Sequence, residues 1–193
     1  MAWYCDIAAG DPLHCDYHDH EYGFPNADEA ALFERLTLEV FQAGLTWRLV
    51  LQRRPALRLA FADFDPAQVA AFDAAVVETL LADRSIIRNR RKIEATIRNA
   101  ATIRDMRQEA GGFDGWLRRN HPRSEADWLR LFKATFRFMG PEIVREFLLS
   151  LGFLPGAHRQ DCPVQARICA LDPPWLVQSA RQTPDAATTE TPT

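Results

Sequence analysis

Apolar residues recur along this chain at intervals of three and four, the period of a helix face, and alternating runs that would mark strands are nearly absent. Leu32, Leu36, Val40 and Ala43 form one such stripe within LFERLTLEVFQAGLTW (32–47), and Ile143, Phe147, Leu148 and Leu151 form another within EIVREFLLSLG. Start signals sit where the periodic segments begin. Asn26-Ala-Asp-Glu29 carries a carboxylate three residues after a capping asparagine, and Asp65-Pro66-Ala-Gln68 combines a capping aspartate with proline at the first helical position. Asp73 precedes AAVVETLLA, Ser124-Glu-Ala-Asp127 opens DWLRLFKATFRFM, and Gly140-Pro141 breaks the chain before the last long periodic stretch. The pattern predicts about eight short helices joined by brief loops, an all-α protein.

One position departs from its stripe. Residues seven apart on a helix differ by only about 20° in direction, so Glu39 points nearly where Leu32 does, with Gln42 one turn on and Trp47 just past a turn. The spacing admits two readings: a rim residue paired with Arg35 one turn back, or a buried carboxylate with a task. At the other end, residues 173–193 are rich in Pro, Thr and Ala and poor in large apolar residues after Val177, which predicts a disordered tail behind a single domain over 1–172.

The 193-residue chain has the makeup of an ordinary globular protein, 47% apolar and 25% charged. It contains no apolar run near the ~20 residues of a membrane span and no basic-then-apolar leader, so a cytoplasmic protein is expected. A net charge of −3 gives no overall attraction to nucleic acid, but footprints on nucleic acid are local. Positive charge does concentrate between Arg48 and Arg107, with Arg88, Arg90, Arg91 and Lys92 as its densest cluster.

Four cysteines without a secretion signal point to metal binding or burial before disulfides. Cys5, His14, Cys15, His18 and His20 crowd the start of the chain, and His158 and Cys162 stand four apart near its end. Thiolate and imidazole are zinc ligands, four to a closed structural site, and a site drawing on both segments would tie the ends of the chain together. Spacing does not say which of the N-terminal candidates take part.

Taken in order, DPLHCDYHDHEYGFP (11–25), LFERLTLEVFQAGLTW, FDPAQVAAF (64–72), IIRNRRKIEATIRNA (86–100) and FRFMG with the later H-x3-C pair give the chain a resemblance to the bacterial DNA-3-methyladenine glycosylase I family. The resemblance implies a two-lobed, all-α helix-hairpin-helix glycosylase fold. It implies a structural zinc on Cys5, His18, His158 and Cys162, leaving His14, Cys15 and His20 as bystanders. It also implies hydrolysis, without an organic cofactor, of the bond joining an alkylated base to deoxyribose in double-stranded DNA, by a monomer that works at the nucleoid.

Glu39 matches the family's pocket glutamate, where a carboxylate can accept hydrogen bonds from the flipped base and stabilise its charge. Tyr17 and Trp47 match pocket aromatics, Tyr22 stands where the family usually has Trp, and Gln42 lies beside Glu39. Stacking on such rings returns roughly 1–3 kcal/mol per base, against a flipping cost of a few kcal/mol. The 88–92 cluster matches the segment whose backbone N–H groups hold phosphates, with Arg88, Arg90, Arg91 and Lys92 as added contacts.

The chain departs from the family in three places. Ser85 replaces a usual glycine, Ile7 a usual tryptophan, with Trp3 and Tyr4 as candidate substitutes, and Arg145-Glu146 stands where small hydroxyl residues and Tyr are common. The alternatives these departures raise are a shifted lesion preference, or a protein that binds damaged DNA without cutting it.

Overall fold

The structure, a computed structural model, describes residues 3–177. Among them are eleven α-helices with both ends described, one 3₁₀ turn (Ala62–Phe64), a further helical turn over 174–177 and no strand. In chain order the helices are α1 (Tyr4–Ala8), α2 (Pro12–His20), α3 (Glu29–Gln42), α4 (Trp47–Ala60), α5 (Pro66–Val69) and α6 (Ala74–Ala82). There follow α7 (Arg90–Glu109), α8 (Phe113–Asn120), α9 (Glu125–Thr135), α10 (Pro141–Ser150) and α11 (Pro163–Cys169).

The predicted caps at Asp65, Asp73 and Ser124 are formed: each side chain accepts a backbone N–H of its helix's first turn, from Ala67, Val76 and Asp127. One start is displaced. Asp28 caps α3 by accepting the Ala31 N–H at 2.8 Å, while Asn26 accepts the Asp28 N–H and shapes the approach.

Helix α3 is the hub, packing against α4, α5, α7, α8 and α10. All ten residues from Leu32 to Phe41 are buried, so the stripe seen in sequence is only part of a helix covered on every side. Full burial of a Leu, Val or Phe side chain stabilises by about 1.5–3 kcal/mol, and Leu32, Phe33, Leu36, Leu38, Val40 and Phe41 are all fully buried. The charged residues inside this run are tolerated because two of the three are paired. Glu34 takes Arg54 and Arg58 at 2.9 Å each, and Arg35 donates to the carbonyls of Ser150 (2.6 Å) and Phe24 (3.3 Å). A buried charge without such partners costs several kcal/mol.

Helices α6 and α7 pack together as a hairpin joined by residues 83–89. In that turn the Asp83 carboxylate accepts both the backbone N–H and the hydroxyl of Ser85 (2.8 and 2.6 Å), and Ser85 is not among the residues with positive φ. The serine therefore replaces glycine here without backbone strain.

The tail predicted from 173 begins as packed structure. Pro173 and Pro174 are buried, the Trp175 N–H donates to the Gly152 carbonyl, and the Pro174 carbonyl lies 3.1 Å from His121 Nε2. Gly152 adopts φ +70° beneath them, where a Cβ would stand 2.9 Å from Pro173. Two prolines filling a closed surface outweigh the polar composition that surrounds them, and the rest of the predicted tail, 178–193, lies outside the described residues.

Candidate base pocket and metal centre

Helix α2 carries Tyr17 and His18 side by side, and adjacent residues on a helix point about 100° apart. Tyr17 therefore faces one site and His18 another. The same division occurs on α1, where Tyr4 and Cys5 separate, and both sites depend on these two short helices.

Tyr17 faces a cavity of about 990 Å³, lined also by Tyr4, Tyr22, Glu39, Gln42, Trp47, Arg145 and Glu146. Aromatic rings make much of its wall: Tyr17 meets Trp47 edge-on at 5.0 Å between centroids, Tyr4 meets Tyr22 at 5.2 Å, and Tyr17 lies 5.9 Å from Tyr22. Glu39 and Gln42 enter one turn apart from the end of α3. Thr46 then caps α4, accepting the Leu49 N–H at 3.3 Å, which places Trp47 on its first turn.

Glu39 is 4% exposed, and among the described residues its carboxylate forms no hydrogen bond and no ion pair. Arg35, the neighbour that would have made it an ordinary rim residue, is turned to backbone carbonyls. Desolvation, with the charge of Glu146 second, pushes the Glu39 carboxyl well above its usual range.

Helix α10, which packs against α3, supplies another part of the lining. Glu146 accepts the Tyr22 hydroxyl at 2.8 Å on one oxygen and Arg145 at 3.0 Å on the other. Arg145 and Glu146, noted in sequence as departures near the pocket, are thus part of its lining. Trp3 and Tyr4, the two candidate substitutes for a ring at Ile7, both line the cavity, and Ile7 is itself half-exposed at its edge. His14 also borders the cavity, its Nδ1 3.1 Å from the Tyr4 hydroxyl. Its sequence context points only to metal ligation, and nothing in its spacing signals a tyrosine partner ten residues away.

The second site brings Cys5, His18, His158 and Cys162 together, all buried, with ligand atoms within 4.8 Å of one another. Cys162 Sγ lies 3.6 Å from His158 Nδ1 and 3.8 Å from His18 Nε2, Cys5 Sγ lies 3.7 Å from His158 Nδ1, and the two imidazole nitrogens are 3.1 Å apart. Ligand atoms around one tetrahedral zinc stand about 3.3–3.8 Å apart. Each imidazole is also oriented from its far side: His18 Nδ1 sits 2.6 Å from the Asp19 carboxylate and His158 Nε2 2.7 Å from the Tyr22 carbonyl. Such outer partners fix the tautomer that turns a lone pair inward. The four residues form a set that could hold a metal ion.

The basic cluster divides. Arg88 and Arg91 are exposed and unpaired among the described residues, and Arg90 is exposed but bridged to Glu78 at 2.7 Å. Lys92 is a correction. It is 4% exposed, with its ammonium donating to the carbonyls of Phe41 (2.8 Å) and Ala43 (2.7 Å), so it is not free to reach phosphate. It instead satisfies carbonyls left without partners at the end of α3, where its charge also opposes the negative end of the helix dipole. Lys92 thereby secures the α3 end that presents Glu39 and Gln42.

A sequence profile of the family described as methyladenine glycosylase matches residues 7–128. The chain belongs to the methyladenine glycosylase family. DNA-3-methyladenine glycosylase 1 of Escherichia coli is 37% identical over 169 residues, covering 78% of this chain and 90% of that protein. DNA-3-methyladenine glycosylase of Haemophilus influenzae is 32% identical over 182 residues, covering 84% and 98%. The fold is shared with a crystal structure of a 3-methyladenine DNA glycosylase I variant in complex with 3-methyladenine, at TM-score 0.76 and 30% identity over 83% of this chain and 96% of that one. The enzyme from Staphylococcus aureus gives a TM-score of 0.75 at 32% identity, over 83% and 95%. The all-helical architecture of the chain is that of this glycosylase family.

Proposed function

We propose that the chain is a DNA-3-methyladenine glycosylase of base-excision repair, which hydrolyses the N-glycosidic bond of 3-methyladenine in alkylated double-stranded DNA. The observation that carries this reading is the unpartnered carboxylate of Glu39, buried in a cavity walled by Tyr17, Tyr22, Trp47 and Tyr4. A flipped purine cation supplies what that carboxylate lacks. Its positive charge favours the ionised form that burial disfavours, its N–H edge can donate to the oxygens, and its faces can lie against the rings. As the bond to the sugar breaks, positive charge moves from the base toward the deoxyribose, and a fixed negative group in a dry site stabilises that charge.

Zinc fits the Cys2His2 donor set and its spacing, and we assign it a structural role on Cys5, His18, His158 and Cys162. Held there, it would join α1 and α2 to the segment before α11. No organic cofactor is required by hydrolysis of a cationic leaving base. The duplex is held by Arg88 and Arg91 together with the unpaired backbone N–H groups at the start of α7. Arg90, tied to Glu78, plays a smaller part. The protein is proposed to act as a monomer on the chromosome in the cytoplasm, and no described helix is long and apolar enough to cross a membrane.

The test is release of free base from methylated duplex DNA. Release of 3-methyladenine by the wild-type chain and its loss in Glu39→Gln are expected. A folded, DNA-binding wild-type protein that releases no base would sink the enzymatic reading in favour of damage binding alone. A shifted lesion preference is favoured by one observation, the Arg145–Glu146 pair within the pocket wall, and release of another alkylated base in preference would establish it.

A further inference from the structure

Part of the cavity lining beside Glu39 is a chain of three hydrogen-bonded side chains. Arg145 donates to Glu146 Oε1 at 3.0 Å, and Glu146 Oε2 accepts the Tyr22 hydroxyl at 2.8 Å. The direction of the second bond matters. A carboxylate engaged by a guanidinium on one oxygen is acceptor-only on the other, so the single hydroxyl proton of Tyr22 is spent on Glu146. What Tyr22 retains for anything in the cavity is the lone pairs of its oxygen. Glu39, bare and facing the same cavity, offers acceptors too when ionised. Tyr22 and Glu39 therefore present acceptors on their part of the lining, while elsewhere in it Trp47 and Arg145 carry donors and Gln42 and the Tyr17 hydroxyl can do either.

We propose that Glu146 is a positioning residue for specificity: by holding the Tyr22 proton it makes the tyrosine an acceptor, so that the pocket selects purines bearing an amino group over their oxo counterparts. This rests on the reading of the cavity as a base pocket. An amino group donates to Tyr22 and Glu39. An oxo group in the same place sets lone pair against lone pair, and the buried acceptors lose water without gaining a donor. Neither the size of the cavity nor its aromatic walls would separate two bases that differ only by NH2 and O.

The experiment compares binding of free 3-methyladenine and free 3-methylhypoxanthine to the full zinc-loaded chain by titration calorimetry, alongside base release from methylated duplex by the same preparations. Wild type should favour the amino base by at least about tenfold. In Glu146→Gln the amide can donate to Tyr22, which frees the hydroxyl to donate into the cavity, and the preference should fall toward unity. Tyr22→Phe should lower the preference to what Glu39 alone supplies, and adding Glu146→Gln to it should then change nothing further. A purely structural role for Glu146 would weaken both bases alike and leave their ratio intact, which would overturn the proposal, as would a wild type that binds the two bases equally. Release of 3-methyladenine together with equal binding removes this inference alone. Absence of both release and binding removes the base-pocket reading with it.

Discussion

The Cys/His cluster and the proposed base pocket both draw on the same two short helices, but they handle buried polar groups in opposite ways. In the metal centre every group is accounted for: four ligand atoms converge, and each imidazole is held from behind by Asp19 or by the Tyr22 carbonyl. In the pocket the deepest carboxylate, Glu39, has no protein partner among the described residues. A satisfied polar cluster stabilises the fold, whereas an unsatisfied one lowers stability until a ligand completes it. On the proposed reading the first is architecture and the second is function, and Tyr22 joins them, its carbonyl on His158 and its hydroxyl on Glu146.

The strongest way to break the comparison is at the metal. Structural zinc contributes on the order of 10 kcal/mol in small zinc-binding peptides. Cys162→Ser, or exhaustive chelation, is expected to remove one bound metal per chain, lower the melting temperature by well over 10 °C by the ~2–4 °C per kcal/mol of a domain this size, and abolish base release because Tyr4, Tyr17 and Tyr22 lose their anchor. Metal analysis and thermal denaturation read this directly. Folded, metal-free protein of unchanged stability would dissolve the distinction between the two sites.

Glu39→Gln tests the other side and should move activity and stability in opposite directions. Base release is expected to fall by about 100-fold or more, as when a group that stabilises transition-state charge is removed. Stability should change with a definite sign. A carboxyl whose folded pKa is raised above its unfolded value of about 4.5 binds its proton more tightly in the folded state. Its contribution is complete below that value and is lost as pH rises through the folded pKa. Glu39→Gln should therefore melt higher than wild type at pH 8, with the gap narrowing toward pH 4.5. A variant less stable than wild type at pH 8 would mean that Glu39 is a satisfied structural group after all.

Lys92 and its neighbours sharpen the contrast further. Lys92→Met leaves the Phe41 and Ala43 carbonyls unpaired and should cost about 2 kcal/mol, with a weakened base pocket and an unchanged salt dependence of DNA binding. Arg88→Ala with Arg91→Ala should do the reverse. The effect on stability should be near zero, while the slope of log affinity against log salt should fall by about 0.9 for each phosphate no longer neutralised. Melting curves and binding titrations at several salt concentrations separate the two, and a salt-slope change in Lys92→Met would return that residue to the DNA surface.

Local chemistry is readable wherever neighbours in sequence are neighbours in space. Asp65, Asp73 and Ser124 cap the helices they precede because a cap reaches only two or three residues ahead. The displacement from Asn26 to Asp28 shows the limit of that rule where two good capping residues stand close together. The metal ligands are legible as residue types in two clusters, and family resemblance, not spacing, selects among them. Lys92 reads as a phosphate-binding residue because, in sequence, nothing separates it from Arg88, Arg90 and Arg91; its true partners lie 49 and 51 residues away, at the end of α3.

By itself, then, the sequence determined the all-helical class, though about eight helices were expected where eleven are found, together with the inventory of thiols, imidazoles and rings and the oddity of Glu39, since each depends on residue type and short-range periodicity. Tertiary structure alone decided which charges are spent and which are free. Arg35 is committed to carbonyls of Phe24 and Ser150, Glu34 to Arg54 and Arg58, and Glu146 to Tyr22. The reason is that the worth of a polar group depends on what surrounds it after water has gone, and for these residues the surroundings come from distant parts of the chain. Glu39 acquires its meaning the same way: each of these charged residues has found a partner, and it has not.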